Sequence, residues 1–140
     1  MTRYLLLLAF LLVEGCQRSI DPGDPLYQTW RWTKTRYEDG RLIQRTADAS
    51  SVISFRPNGT ILYGVDGRYA ACCFPNRFRR QANRLYFSSV DHIPVPRVDN
   101  AERCYSVDCI GQGDFWQINI LTDSSLTLKT NFGELICIPY

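Results

Sequence analysis

The stretch Asp114-Phe115-Trp116-Gln117-Ile118-Asn119-Ile120-Leu121 alternates large apolar and polar side chains, with Trp116, Ile118 and Ile120 on one face and Gln117 and Asn119 on the other. An apolar residue at every second position is the period of a half-buried strand. Thr122-Asp123-Ser124 follows as a turn, and residues 125–130 (SLTLKT) form the next strand. Asn131-Phe132-Gly133 turns the chain into a further strand, residues 134–140. Consecutive strands joined by turns this short pair antiparallel, because a parallel pair needs a crossover of a dozen or more residues.

The same rhythm runs through the rest of the chain. Residues 27–37 (YQTWRWTKTRY) alternate with Trp30, Trp32, Lys34 and Arg36 on one face, and their Thr, Trp and Tyr content suits a pleated surface. Glu38-Asp39-Gly40 is a hairpin signal, and residues 42–46 and 51–55 (SVISF) read as the second and third strands. Pro57-Asn58-Gly59-Thr60 is the strongest turn, since Asn-Gly supplies the positive φ angles of tight hairpins. Strands are then expected at residues 61–65, at 68–74, and as a pair at 76–80 and 84–90 around Gln81-Ala82-Asn83. No window carries a 3.6-residue apolar repeat long enough for a helix. About nine strands at a spacing of ~8–12 residues predict an all-β, antiparallel meander or barrel over residues 26–140. The exception is residues 91–113, which lack a strand signal and contain Pro94, Pro96, Cys104, Cys109 and Gly111-Gln112-Gly113. Long connections in compact domains are commonly functional.

The composition fits one folded domain. The 140 residues are 45% apolar and 13% aromatic, with 16 Lys and Arg against 14 Asp and Glu. A net charge of +2 argues against a nucleic-acid binder or an electrostatic membrane coat.

The N-terminus reads as an address. Met1-Thr2-Arg3 precedes an apolar run at residues 4–13 (YLLLLAFLLV), too short to span a bilayer but suited to a secretory signal. The run ends Leu12-Val13-Glu14-Gly15-Cys16, which resembles the lipobox of bacterial lipoproteins. That resemblance implies a signal peptide at residues 1–15, acyl chains such as palmitate on Cys16, and a membrane attachment through them. Gln17 then implies passage to the outer membrane of the cell envelope. Residues 16–25, which include Ser19-Ile20-Asp21-Pro22-Gly23-Asp24-Pro25, read as an extended tether.

A second resemblance covers residues 26–140. Leu26, Trp30 and Trp32, the Asp39-Gly40 hairpin, the run from Ser54 to Thr60, and Phe115-Trp116 through Leu128 are similar to small lipocalin-like domains of bacterial lipoproteins. Gln28 stands where such domains open with glycine in Gly-x-Trp. The resemblance implies an up-and-down barrel whose mouth takes a small apolar or amphipathic molecule, and it transfers no catalytic residues.

Few other residues bear recognisable chemistry. With Cys16 acylated, Cys72, Cys73, Cys104, Cys109 and Cys137 remain as disulfide candidates, and an exported compartment permits bridges. Two bridges and one spare thiol are expected, with Cys104 joined to Cys109 in a small ring and Cys137 joined to Cys72 or Cys73. Neither their spacing nor the single histidine, His92, suits a metal, and no cofactor is implied. Asp91-His92 lacks a Gly-x-Ser-x-Gly elbow, and the glutamates are few: Glu14, Glu38, Glu102 and Glu134. The cluster Arg77-Phe78-Arg79-Arg80, with Arg84, suits a charge-protected edge strand. Trp30, Trp32, Phe55 and Trp116 fall on inward faces, where they line a ligand pocket or fill a narrow barrel. The expected function is therefore binding without catalysis, by a lipid-anchored carrier or sensor. The rival is an interaction module, like the periplasmic lipoproteins that inhibit lysozyme, presenting residues 91–113 to an envelope protein partner.

Overall fold

The computed structural model describes residues 21, 23–87, 94–109 and 113–140. The signal segment 1–15, Cys16, most of the tether and the Asp91-His92 pair lie outside the described residues.

The strands are β1 (Thr29–Tyr37), β2 (Leu42–Gln44), β3 (Val52–Phe55), β4 (Ile61–Tyr63), β5 (Arg79–Gln81), β6 (Arg84–Tyr86), β7 (Phe115–Thr122), β8 (Ser125–Lys129) and β9 (Gly133–Pro139). Single 3-10 turns occupy Ala49–Ser51 and Ala101–Cys104. All pairings are antiparallel, in the order β4-β3-β1-β9-β8-β7-β6-β5, with β2 on β1. β2 and β3 both pair with β1, β2 against Lys34–Arg36 and β3 against Thr29–Arg31, so they act as one descending strand broken by the Ala49–Ser51 turn. The sheet curls until Thr60, ahead of β4, bridges Arg77, ahead of β5. Ile61 N–H donates to the Asn76 carbonyl and Phe78 N–H to the Gly59 carbonyl at that seam. The expected all-β up-and-down architecture is therefore the observed one.

Two bulges decide which side chains face inward. In β1 the register to β9 shifts between Trp32 and Lys34. Trp30 and Trp32 are buried, but after the bulge Thr35 turns inward and Arg36 outward. The single face read for Trp30, Trp32, Lys34 and Arg36 is corrected accordingly. In β7 a shift between Ile118 and Ile120 leaves Ile120 49% exposed, while Leu121 packs against the core. An extra residue swaps the faces of everything beyond it.

The strand expected at residues 68–74 does not form. Cys73 has φ of 69°, in the left-handed region that interrupts an extended run, and Cys72 and Cys73 are each bridged to a distant segment.

Alternating strand directions give the barrel two distinct ends. The lower end carries the short connections at residues 56–60, 82–83 and 123–124; the upper end carries the long one at 64–78, the described residues 94–109 between β6 and β7, and the turn at 130–132. The chain enters from below. Leu26 is fully buried, its carbonyl accepts from Trp30 Nε1 at 3.2 Å, and Gln28 Nε2 donates to the Asp123 carbonyl at 3.4 Å. Just upstream, Asp24 is paired with Arg80 of β5. The lower interior is packed solid by Leu26, Trp30, Phe55, Ile61, Phe78 and Leu126, with Phe55 and Phe78 edge-to-face at 5.7 Å.

Candidate functional site

At the upper end Phe74 is the centre of an aromatic cluster. Phe74 lies 5.9 Å from Trp32, 5.9 Å from Tyr63, 5.8 Å from Trp116 and 6.3 Å from Phe132, ring centroid to ring centroid. Tilted and edge-on geometries of this kind are the favoured ones for aromatic pairs. Tyr63 O–H donates to the Pro75 carbonyl at 2.6 Å and ties the segment to β4. Burial in that apolar setting pushes the Tyr63 hydroxyl well above its ordinary value of 10.0.

Two disulfides fix the segment from outside. Cys72 is bonded to Cys104 and Cys73 to Cys109, with Cα separations of 5.2 and 5.1 Å. Adjacent half-cystines on one side and two on the other make a double clasp. Beside it, Asp99 N–H donates to the Arg68 carbonyl, Arg68 pairs with Asp99, and Ala70 N–H donates to Asn100 Oδ1 at 2.7 Å. The residues 94–109 are thus bound to the top of the barrel. The expected number of bridges, two with one spare thiol, matches, but the pairing does not. Cys104 and Cys109 do not close a ring together, because each meets one of the adjacent cysteines. Cys137 belongs to no bridge: it sits in β9 opposite Trp32, buried in the core. Desolvation pushes its thiol from 9.0 up to about 12.

Between the clasped segment and the barrel wall lies a half-open cavity of about 320 Å³. Trp32, Arg45, Ile53 and Tyr63 line it from the barrel; Tyr69, Ala70, Ala71 and Phe74 from the 64–78 connection; Arg103 and Val107 from the clasping segment. The Arg45 guanidinium stacks over the Trp32 ring at 3.9 Å, and Arg45 Nη2 donates to Ser50 Oγ at 2.7 Å. Ser50 Oγ in turn donates to Asp48. That hydrogen bond, more than the nearby Arg45 charge, holds the Asp48 carboxyl below its usual range. Arg45 Nε is buried and has no hydrogen-bond partner among the described residues. Arg103, facing from the opposite wall, stacks over Tyr69 at 5.2 Å. A smaller cavity of about 150 Å³ lies on the other side of Tyr63, Tyr69 and Phe74, toward Val95 and Val98.

Of the four aromatics expected at a binding site, only Trp32 lines the cavity. Trp30, Phe55 and Trp116 are fully buried and belong to the packed interior. The cavity's other polar and aromatic groups, Arg45, Ser50, Tyr63, Tyr69, Phe74 and Arg103, carry no motif. The one usable signal was an aromatic directly after adjacent cysteines, Cys72-Cys73-Phe74. Among the described residues no three His, Cys, Asp or Glu side chains converge as they would around a metal.

Comparison with models of known protein families, with curated proteins and with solved structures gives no match. The fold class, an antiparallel up-and-down barrel, and the site beneath its clasp rest on the chain's own geometry.

Proposed function

We propose that this chain is an exported binding protein, attached to the outer membrane of the cell envelope through acylated Cys16, and that it takes a small apolar or amphipathic ligand without catalysing a reaction. The observation that carries this reading is the half-open cavity of about 320 Å³ with Trp32 on its wall. Its size falls at the lower end of the range for small-molecule sites, and an apolar lining with few polar groups is their usual make-up. Two disulfides suit an oxidising compartment, which agrees with the signal read in residues 1–15.

Native mass spectrometry of the mature protein tests the reading directly. A mass matching cleavage before Cys16, added acyl chains and a co-purified small molecule is the expected result. Ligand uptake is checked by intrinsic fluorescence, because an occupant would lie against Trp32. A flat titration across fatty acids, retinoids and haem, together with no co-purified molecule, would overturn it.

One observation favours a second reading. Tyr105 is 84% exposed on the segment held by Cys104 and Cys109, beside the exposed Val107. A projecting aromatic on a disulfide-held loop suits contact with an envelope protein. If Tyr105→Ala abolishes capture of a partner from envelope extracts while small molecules leave Trp32 fluorescence unchanged, the interaction module replaces the carrier.

A further inference from the structure

The cavity has a charge asymmetry. Two of its lining side chains are cationic, Arg45 and Arg103, and none is acidic. Neither arginine makes an ion pair among the described residues, although Arg36, Arg41, Arg68 and Arg80 all do. The nearest carboxylate, Asp48, is exposed; it feels the Arg45 charge but makes no ion pair with it, and the two are linked by hydrogen bonds through Ser50. Each guanidinium carbon lies over an aromatic ring, Arg45 over Trp32 at 3.9 Å and Arg103 over Tyr69 at 5.2 Å. A guanidinium attracted to a ring face still has several N–H donors to offer an acceptor. On Arg45 one such donor, Nε, is buried with no partner among the described residues.

Resting on the ligand-binding reading above, we infer that the occupant is a compact organic acid, whose carboxylate lies between Arg45 and Arg103 and whose aromatic or short aliphatic body lies against Trp32, Tyr63 and Phe74. A carboxylate offers two oxygens to a guanidinium fork. The volume holds on the order of ten water-sized groups, which suits a bicyclic acid better than a long acyl chain. The Cys72–Cys104 bridge sets Arg103, the residue next to Cys104, above the cavity.

Isothermal titration of the oxidised mature chain with naphthoate and its neutral isostere naphthamide tests this. The acid binds at least tenfold tighter than the amide. Arg45→Gln lowers naphthoate affinity about tenfold, as expected for loss of a hydrogen bond to a charged group, and Arg103→Gln, more exposed at the rim, lowers it about threefold. Each variant lowers affinity for the amide by a smaller factor than for the acid. Near-ultraviolet circular dichroism verifies the fold of each variant, and the acid–amide comparison on the unaltered chain needs no variant. Equal binding of acid and amide overturns the inference while leaving the ligand-binding reading intact. Binding of a neutral compound such as retinol, with none of naphthoate, does the same. If hexadecanoate binds more tightly than naphthoate, the compact body is wrong. If no compound binds, the inference and the reading fall together.

Discussion

The two ends of this barrel are closed by different means. Below, the connections are short, and Leu26 and Trp30 fill the interior without help from a cross-link. Above, residues 64–78 and the described residues 94–109 form longer segments, and Phe74 is held there by the bridges from Cys72 and Cys73 to Cys104 and Cys109. Strand pairing and burial suffice where the chain reverses tightly. Where it must order long irregular segments against their conformational entropy, covalent bonds do the holding, and it is there that unfilled space is left.

The largest expected effect comes from removing both bridges. They join nearly the same two places, with sequence separations of 32 and 36 residues. The first to close restricts a long loop and is worth about 4 kcal/mol on the chain-entropy account, whereas the second then closes only a small ring and adds about 2 kcal/mol. Replacing either pair with alanines should therefore cost about 2 kcal/mol, and replacing both about 6 kcal/mol. Urea unfolding of the three variants measures this. Strictly additive losses would show that the clasps act independently.

Next come the two plugs. Leu26→Ala and Phe74→Ala should each lose about 3 kcal/mol through transfer and cavity terms. They differ in what else they change: Phe74→Ala alters ligand uptake, and Leu26→Ala leaves it alone. If both variants bind identically, the upper end is no more specialised than the lower.

Cys137 provides a smaller, pH-dependent effect. Its thiol is pushed up to about 12 in the folded chain from 9.0. Folding thus favours the neutral thiol, so this contribution is complete below about pH 9 and declines as pH rises toward 12. Between pH 8 and pH 10 the loss should be about 1 kcal/mol. Cys137→Val should lack that part of the slope in denaturant titrations at the two pH values. The smallest effect belongs to the entry of the chain. Asp24→Asn breaks a half-buried pair with Arg80 and should cost about 0.5 kcal/mol. A shift beyond about 1.5 kcal/mol in thermal or urea melts would make the lower end's closure electrostatic rather than apolar.

Much of the barrel was legible because period-2 alternation and Asn-Gly or Asp-Gly turns are local signals. Residues 114–121 and 125–130 carry the alternation, residues 51–55 are followed by the Asn58-Gly59 turn, and strands stand at all three. Alternation does not register an inserted residue, so the bulges beyond Trp32 and Ile118, which reversed the faces of Arg36 and Ile120, were invisible. Residues 68–74 read as a strand because tyrosine, alanines and phenylalanine fit one, yet Cys73 bends the chain and the bridges determine its path. The site was least legible. Its walls come from Arg45, Tyr69 and Arg103, which lie far apart in the chain; the clasp brings the segments of Tyr69 and Arg103 together, and Arg45 comes from the stretch after β2. Cysteine pairing has the same character, being settled by proximity in space and not by intervals along the chain.

The entry of the chain beneath Leu26 gives the molecule a polarity. A protein held by its first residues would stand like a goblet on its foot, base toward whatever holds it and rim pointing away. Were that support a lipid leaflet, the hollow under Phe74 would sample solutes arriving from the aqueous side, and nothing dissolved in the leaflet could enter without first leaving it.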